Sequence, residues 1–551
     1  MIASLARYWN TLRYLKPIQV YGRLWFRLYR PRPDLKSAPD YQKPGGTFVE
    51  PCRRSPSLIG STQFEFLGET GMLADTADWN HPDKSKLWLY NLHYFNDLNA
   101  LGCVKRTAWH RALIARWIVE NPPALGVGWE PYPTSLRIVN WVKWTMRSNA
   151  PPPECLHSLA IQARWLCRRL ERYLLGNHLF ANAKALVFAG LFFSGDEASG
   201  WYRAGMRLLD GELQEQVLKD GGHFERSPMY HLIILEDLLD MVNIHKVFGI
   251  SYPPQWDVVA GRMLRWSRVM RHPDGGIPFF NDAAFGIAPE PEQLDRYARD
   301  IGVECSDSES HRIYHFDQSG YARLEAGDAV LLVDMAPVGP DYLPAHAHAD
   351  SLSFEWSLGV RRVVVNGGTS VYGSGSERLR QRSTSSHATV VVDGKNSSDV
   401  WSGFRVGRRA RIIEARIWRE GEMCCAVGAH DGYRWLLGCP VHRRMWSLRV
   451  GELRVIDDLL GSGRHEVEIV FPLASGLRPN VGKDRSLVTV VDEENGHRVC
   501  TLRVTRGINI VAERSAWHQH FGETLETWRL RLLLRGELPL SHETIFCWDR
   551  S

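Results

Sequence analysis

The feature that most constrains this chain is a change of hydrophobic period part-way along its 551 residues. From about residue 85 to 270, apolar residues recur every three or four positions, as in RTAWHRALIARWIVEN, TSLRIVNWVKWTMRSN, LHSLAIQARWLCRRLERYLL and MYHLIILEDLLDMVNIHKVFG. Each run has the length and stripe of an amphipathic helix. Short Pro/Gly breaks such as NPPALGVGWEPYP and APPPE separate them. Successive helix hairpins without a strict repeat predict an α/α barrel or toroid. After about residue 310 the segments become short and rich in Val, Ile, Thr and aromatics, as in DAVLLVDMA, SLSFEWSL, RRVVVNGG, HATVVVDG, HEVEIVFPL and SLVTVVD. Turn residues bound them, which predicts a large antiparallel β-sandwich or supersandwich. The polar stretch DIGVECSDSESH, near 295–312, marks the boundary. The expected division is a basic helical and extended segment over 1–84, a toroid over 85–305 and a β-sandwich over 306–551.

Composition narrows the function classes. A chain with 44% hydrophobic and 23% charged residues is a folded one, and a net charge of +5 gives no case for nucleic-acid binding. The 21 Trp and 18 Tyr are numerous. Their flat faces suit sugar rings, although such residues also fill large cores. Ten scattered cysteines, with Cys424-Cys425 the only close pair, form no disulfide or zinc-ribbon framework and are expected as reduced or buried thiols. The N-terminus has no unbroken apolar core and no A-x-A-like site, so it does not resemble a secretory signal. On sequence the chain is expected in the cytoplasm, with the periplasm or cell envelope as the alternative. Residues 1–36 carry eight Lys/Arg against one Asp, a net of +7. That stretch could make peripheral contact with an anionic membrane. A basic first helix packed on the toroid is the preferred expectation. No run reaches 18 consecutive apolar residues, so no transmembrane helix is expected. Oligomeric state is not legible.

Three clusters carry residues suited to chemistry. Asn177 and His178, in GNHLFAN, open a helix whose free N–H groups favour an anion. An N-cap with a core histidine would read the same way. In DGGHFERSPMYH, Ser227 before Pro228 has the form of an N-cap followed by proline, and Tyr230 stands one turn into the helix. In HAHAD, His346 and His348 would share one face of a strand. Asn366, at the end of the next strand, and His387, at the start of another, could complete a zinc site with His348. Arg378, Arg380 and Arg382 alternate in SGSERLRQRSTSSH, so an extended segment would present all three to a carboxylate or sulfate.

In order and context these pieces resemble the heparinase II/III family. The resemblance rests on GNHLFANAKAL, DGGHFERSPMYH, HAHADSLSFEWSL, VNGGTSVYG and RSTSSHATVVVDGKNSSDVW. YLKPIQVYGRLWFRL, NLHYFNDL and GWEPYPTSLRIVNW look like bacterial members associated with envelope and exopolysaccharide systems. The resemblance implies an incomplete (α/α) toroid followed by an antiparallel β-sandwich, acting on acidic, uronate-containing polysaccharides by β-elimination. Asn177, with His178, would neutralise the uronate carboxylate. Tyr230 and His346 would be the acid/base pair. Arg137, Glu225, Arg226, Arg378 and Arg382 would contact substrate. A structural zinc would fall to His348, Asn366 and His387, and Asn366 departs from the family's Asp. No organic cofactor is implied. A uronate C5-epimerase and a non-catalytic glycan-binding protein in polysaccharide assembly are the alternatives. A glycoside hydrolase is disfavoured for want of a carboxylate pair.

Overall fold

The computed structural model describes residues 2–147, 151–305, 312–483, 485–505 and 508–549. Part of the expected boundary, residues 306–311, lies outside them. Two short helices lead the chain, α1 (Ile2–Leu12) and α2 (Pro17–Leu28). A small hairpin (Gln63–Phe66 with Glu69–Met72) precedes α3 (Lys86–Tyr94) and α4 (Thr107–Glu120). The hairpins that follow are α5 (Pro131–Met146) with α6 (Pro153–Arg168), α7 (Gly176–Phe192) with α8 (Gly195–Gln216), and α9 (Pro228–Phe248) with α10 (Gln255–Val269). The last helix before the strands is α11 (Pro291–Asp300).

Two kinds of helix alternate, and their sequences say why. α5, α7 and α9 are buried almost all round, whereas α8 and α10 bury one stripe and turn a polar face outward. Uniformly apolar helices must lie inside and striped ones outside. Two glycines let α7 and α8 approach closely. A Cβ at Gly190 would stand 2.5 Å from the Tyr202 backbone nitrogen, and one at Gly205 would stand 2.7 Å from the Ala183 carbonyl. The result is an open toroid of inner and outer helices.

The described strand pairs of the second half are all antiparallel. An eight-stranded sheet includes Met423–His430, Val441–Arg449, Glu452–Leu460 and Leu540–Cys547. A four-stranded sheet centres on Arg464–Pro472 and Leu525–Glu537, and a five-stranded meander runs from Ile313 to Val364. Glu452–Leu460 alternates buried and half-buried residues, the period-two signature of a strand with one covered face. Phe354, Trp446, Phe471 and Phe546, from all three sheets, meet in one core, with ring centroids 5.3–6.5 Å apart. This helical region followed by an antiparallel sandwich is the architecture the sequence predicts.

The N-terminal helices span both halves. α2 lies on the toroid, with the Phe26 ring 4.7 Å from Tyr173. α1 lies on the sandwich, where Arg7 pairs with Asp399 at 2.9 Å and Tyr8 meets Trp401 edge-on. The tryptophans are mostly structural: Trp79, Trp117, Trp141, Trp144, Trp256, Trp356 and Trp446 are fully buried. All ten cysteines are free thiols. No described helix is long and apolar enough to cross a membrane.

Candidate active site between the toroid and the sandwich

The inner helices bring their N-terminal ends to one place. Tyr132 stands in the first turn of α5, Asn177 and His178 in that of α7, and Tyr230 in that of α9. Local sequence fixes each start. Ser227 caps α9, its Oγ accepting from the Tyr230 N–H at 3.2 Å, with Pro228 in the first helical position. Gly176 enters α7 at φ +56°, where a Cβ would lie 2.6 Å from Leu343 and 2.8 Å from Glu225. Only glycine satisfies both the backbone and the space. Unpaired first-turn N–H groups and the helix dipole make such ends favourable to an anion. The His178 ring lies 4.3 Å from Tyr132, and its Nδ1 sits 3.2 Å from Glu171, close enough for an ion pair but not aligned as a hydrogen bond. Burial disfavours the charged imidazole, but Glu171 and Glu225 outweigh it and raise the His178 pKa.

The facing wall comes from the sandwich. His346 and His348 do not lie on a strand, as their spacing predicts; they sit in an irregular loop between Ala329–Asp334 and Phe354–Leu358. Their side chains still converge, because both reach Asp282. His346 Nδ1 is 2.9 Å from one carboxylate oxygen and His348 Nε2 is 2.8 Å from the other. Arg378 grips the same carboxylate with both terminal nitrogens, one at 2.7 Å, and Thr369 adds a bond at 3.3 Å. Burial alone would raise the Asp282 pKa, but Arg378 and the two histidines hold it well below the usual carboxylate range. An ionised Asp282 fixes the proton of His346 on Nδ1 and leaves Nε2 as an acceptor.

The walls meet at Tyr230 and His346, whose rings stack with centroids 3.8 Å apart and planes 29° from parallel. The Tyr230 hydroxyl lies 3.2 Å from that of Tyr372. Burial and Tyr372 push the Tyr230 pKa well above the ordinary phenol value. Glu225 lies across from His346, Oε2 to Nε2 at 3.9 Å. That oxygen is buried with no hydrogen-bond partner, and burial raises the carboxyl pKa. Phe404, 41% exposed, packs on Tyr372 and edges the His346 ring. The flat rings at this site are therefore tyrosines and a phenylalanine, while most of the buried tryptophans serve the core.

Three arginines expected to contact substrate have other work. Residues 376–381 form a helix (Ser376–Gln381, α12), so Arg378, Arg380 and Arg382 do not share one side of an extended segment. Arg378 is consumed by Asp282. Arg382 is fully buried and donates to the carbonyls of Ala347, Ser402 and Gly403, bracing the loop that carries His346. Arg137 is fully buried inside the toroid, bonded to Gln162 and the His93 carbonyl and stacked 3.8 Å over Trp117. A guanidinium enclosed in this way has no face left for a glycan. Arg226 is half-buried at φ +58°, its Nη1 folded back on the Phe224 carbonyl and its own carbonyl bound by Asn281 and Tyr321.

The metal expectation changes by one ligand. His348 Nδ1 and His387 Nε2 lie 3.2 Å apart. Two nitrogens bound to one tetrahedral zinc would be about 3.3 Å apart, given Zn–N bonds near 2.0–2.1 Å. Asn366 sits on the far side, its Oδ1 3.3 Å from His387 Nδ1 and bonded to the Ala388 N–H. It therefore cannot share an ion with the His348-facing nitrogen of that ring. Asp350 takes its place: His348, Asp350 and His387 offer ligand atoms that all lie within 4.8 Å of one another, and all three residues are buried. Burial brings the His348 pKa down to about 4 despite Asp282, and burial together with His348 lowers that of His387 well below the ordinary imidazole value. Both rings are thus neutral, the form that ligates.

Sequence reasoning missed Asp282, Tyr132, Tyr372, Phe404 and the role of Asp350. For Asp282 a signal existed: Asn281-Asp282 is the lone polar pair in IPFFNDAAFG, and a carboxylate embedded among Phe and Ala needs buried partners. Nothing local marks the tyrosines.

Comparison with known proteins agrees with the two-part architecture. Residues 77–293 match the heparinase II/III N-terminus model, and residues 309–544 match the heparinase II/III-like C-terminal model. A heparin-sulfate lyase of Bacteroides stercoris is 25% identical over 346 residues, 58% of this chain and 49% of that protein. The chain thus spans about half the length of that curated relative. FtsZ-localized protein C of Caulobacter vibrioides is 26% identical over 466 residues, 79% of this chain and 77% of that protein. The solved heparan sulfate lyase HepC mutant from Pedobacter heparinus shares the fold, with a TM-score of 0.63 at 19% identity over 89% of this chain and 82% of that one. Matched in both halves and in the same order, this chain belongs to the heparinase II/III family.

Proposed function

We propose that this protein is a polysaccharide lyase that cleaves an acidic, uronate-containing glycan by β-elimination. The observation that carries the reading is the stacked Tyr230–His346 pair, one ring from each wall, with the buried Asp282 orienting the imidazole. The C5 proton of a uronate is poorly acidic beside an ionised carboxylate, so that charge must be neutralised first. Asn177, His178 and the N-terminal end of α7 suit this task, and the raised pKa of His178 favours its cationic form. His346 Nε2 then takes the C5 proton as general base. The C–H electrons form the C4–C5 double bond, and the C4–O4 bond breaks. Tyr230, kept protonated by its raised pKa, gives its hydroxyl proton to the departing O4. Proton exchange with water returns both groups to their starting forms.

Glu225, with an unpaired buried oxygen facing His346, would hydrogen-bond the sugar, and Arg226 beside it would offer a second contact. His348, Asp350 and His387 would hold a divalent ion, zinc being the fit for two imidazoles and a carboxylate. Bound there, it would brace the loop that ends in His346. The heparin-sulfate and heparan sulfate lyases among the relatives suggest glycosaminoglycan-like polymers as a first panel, with bacterial exopolysaccharides beside them.

The test is incubation with that panel, following the ultraviolet absorbance of the unsaturated uronate. Product formation that is lost in Tyr230→Phe and in His346→Ala supports the proposal. Deuterium entry at C5 without cleavage would point to an epimerase. Glycan affinity that survives both substitutions with no chemistry would point to a binding protein.

A further inference from the structure

α1 and α2 carry an apolar face that nothing in the molecule covers. Leu5, Trp9 and Leu12 project from α1, and Leu24, Trp25 and Leu28 from α2, at the three- and four-residue spacings that form one stripe per helix. Trp9 is 67% exposed, Trp25 62% and Leu28 80%. The opposite faces are occupied. α1 is fastened to the sandwich by Arg7–Asp399 and by Thr11 Oγ1 donating to the Val406 carbonyl, and α2 to the toroid by Phe26 on Tyr173. Gln19, at the start of α2, donates to the Tyr342 carbonyl, four residues before His346. The helices are therefore held in place with their apolar stripes outward. Large aromatic residues left in water at this density mark a surface with a partner.

Charge selects the partner. Residues 1–36 hold a net +7 in a chain whose total is +5, so the remaining residues sum to −2. Positive charge is thus concentrated at this one edge. Arg23, Arg27 and Arg30 are exposed and make no ion pair with another described residue. Tryptophan and leucine on one side with arginine beside them are the ingredients of a helix that lies in the headgroup region of a bilayer, its apolar face sunk about 5–10 Å. A second copy of this chain would meet the patch with the same positive charge, which opposes pairing.

We infer that α1 and α2 form a monotopic membrane-docking surface that binds the headgroup region of an anionic lipid bilayer. Docking there would hold the cleft beside the membrane, because the same helices are bonded to the loop leading to His346. The inference is independent of the lyase chemistry.

Vesicle flotation with the full chain tests it. Wild-type protein is expected to float with phosphatidylcholine vesicles containing one-third phosphatidylglycerol, to float at least tenfold less with phosphatidylcholine alone, and to release as salt is raised. Trp9→Glu/Trp25→Glu/Leu28→Glu should lose binding at least tenfold with an unchanged melting curve, since these side chains make no core contact. Arg23→Gln/Arg27→Gln/Arg30→Gln, which keeps the stripe intact, should weaken binding several-fold and flatten the salt dependence. Equal flotation with neutral and anionic vesicles, or binding that survives the first triple variant, would overturn the inference. So would a wild-type dimer in sedimentation velocity that the same variant turns into a monomer, since a second copy would then be what covers the face.

Discussion

The toroid and the sandwich place their site residues by different means. On the toroid side, Asn177, His178 and Tyr230 stand on the first turns of α7 and α9, so their positions follow from helix geometry and from caps such as Ser227. On the sandwich side, His346 hangs from an irregular loop held by Asp282, Arg378 and Arg382. A helix end tolerates the loss of one side chain, because the backbone ladder remains. A loop held by a buried charge network does not, because removing one partner strands the others without water. The site thus has one wall whose residues can be changed singly and one whose residues are coupled.

That contrast can be broken by substitution, beginning with the largest expected effect. Tyr230→Phe removes only a hydroxyl whose sole described partner is Tyr372. Turnover should fall by about 10²–10⁴, the usual scale for losing a general acid, with the melting temperature nearly unchanged. Glycan cleavage and calorimetry together check this, and a large loss of stability would show that the toroid wall is coupled as well.

Asp282→Asn should do both kinds of damage. It leaves Arg378 as a buried charge without its counter-ion and frees His346 to adopt the wrong tautomer. A cost of about 3–5 kcal/mol is expected from denaturant unfolding, with turnover falling in parallel. A variant as stable as the wild type would show that the sandwich wall does not depend on this network.

Acid stability sharpens the comparison. His231 in the toroid and His348 in the sandwich both have folded pKa values lowered to about 4 by burial. The unfolded value is near 6.5. The unfolded chain therefore binds more protons between these values, so the stability these rings contribute is full above about pH 6.5 and is lost as pH falls towards about 4. The loss reaches about 3 kcal/mol for each ring. Asp282, whose folded pKa is depressed, adds a further loss only below the unfolded carboxylate value near 4. Denaturant midpoints at pH 7 and pH 5 should fall for the wild type and fall less for His231→Gln and for His348→Gln.

Smallest is Ser227→Ala, which deletes the α9 cap and the bond from the same hydroxyl to the Asp282 carbonyl, at a cost of about 1–2 kcal/mol. The loss should appear in the melting temperature, with turnover reduced less than tenfold. A larger drop in turnover would mean that the cap positions Tyr230 more tightly than a single helix end suggests.

Much of the architecture could be read from the residues. The switch from three- and four-residue spacing to short β-rich runs separates the helices from the sheets, because helix and strand repeat at different periods. Ser227-Pro228 marks its own helix start, and GNHLFAN and SPMYH are helix-end motifs whose side-chain directions follow from the first turn. The arginines and the candidate metal-binding group were not legible in the same way. Alternate spacing at 378–382 looks extended, but the segment is a helix; Arg378 and Arg382 turn inward because Asp282 and a set of loop carbonyls need donors, while Arg380 stays exposed and pairs with Glu377. Arg137 was expected to contact substrate, yet it fills the toroid between Trp117 and Gln162.

By itself the sequence determined the order of layers and the helix ends that carry Asn177 and Tyr230, and it set His346 and His348 side by side, although on a strand and not in the loop where they lie. Only the tertiary structure decided that Asp282, from the run joining the two halves, would bind both histidines and Arg378. It also decided that Asp350, not Asn366, would stand with His348 and His387. The physical reason is range. Periodicity and caps act over a few residues and are written locally. A buried charge must instead find partners wherever the folded chain brings them, and for Asp282 those partners lie 64 to 96 positions away.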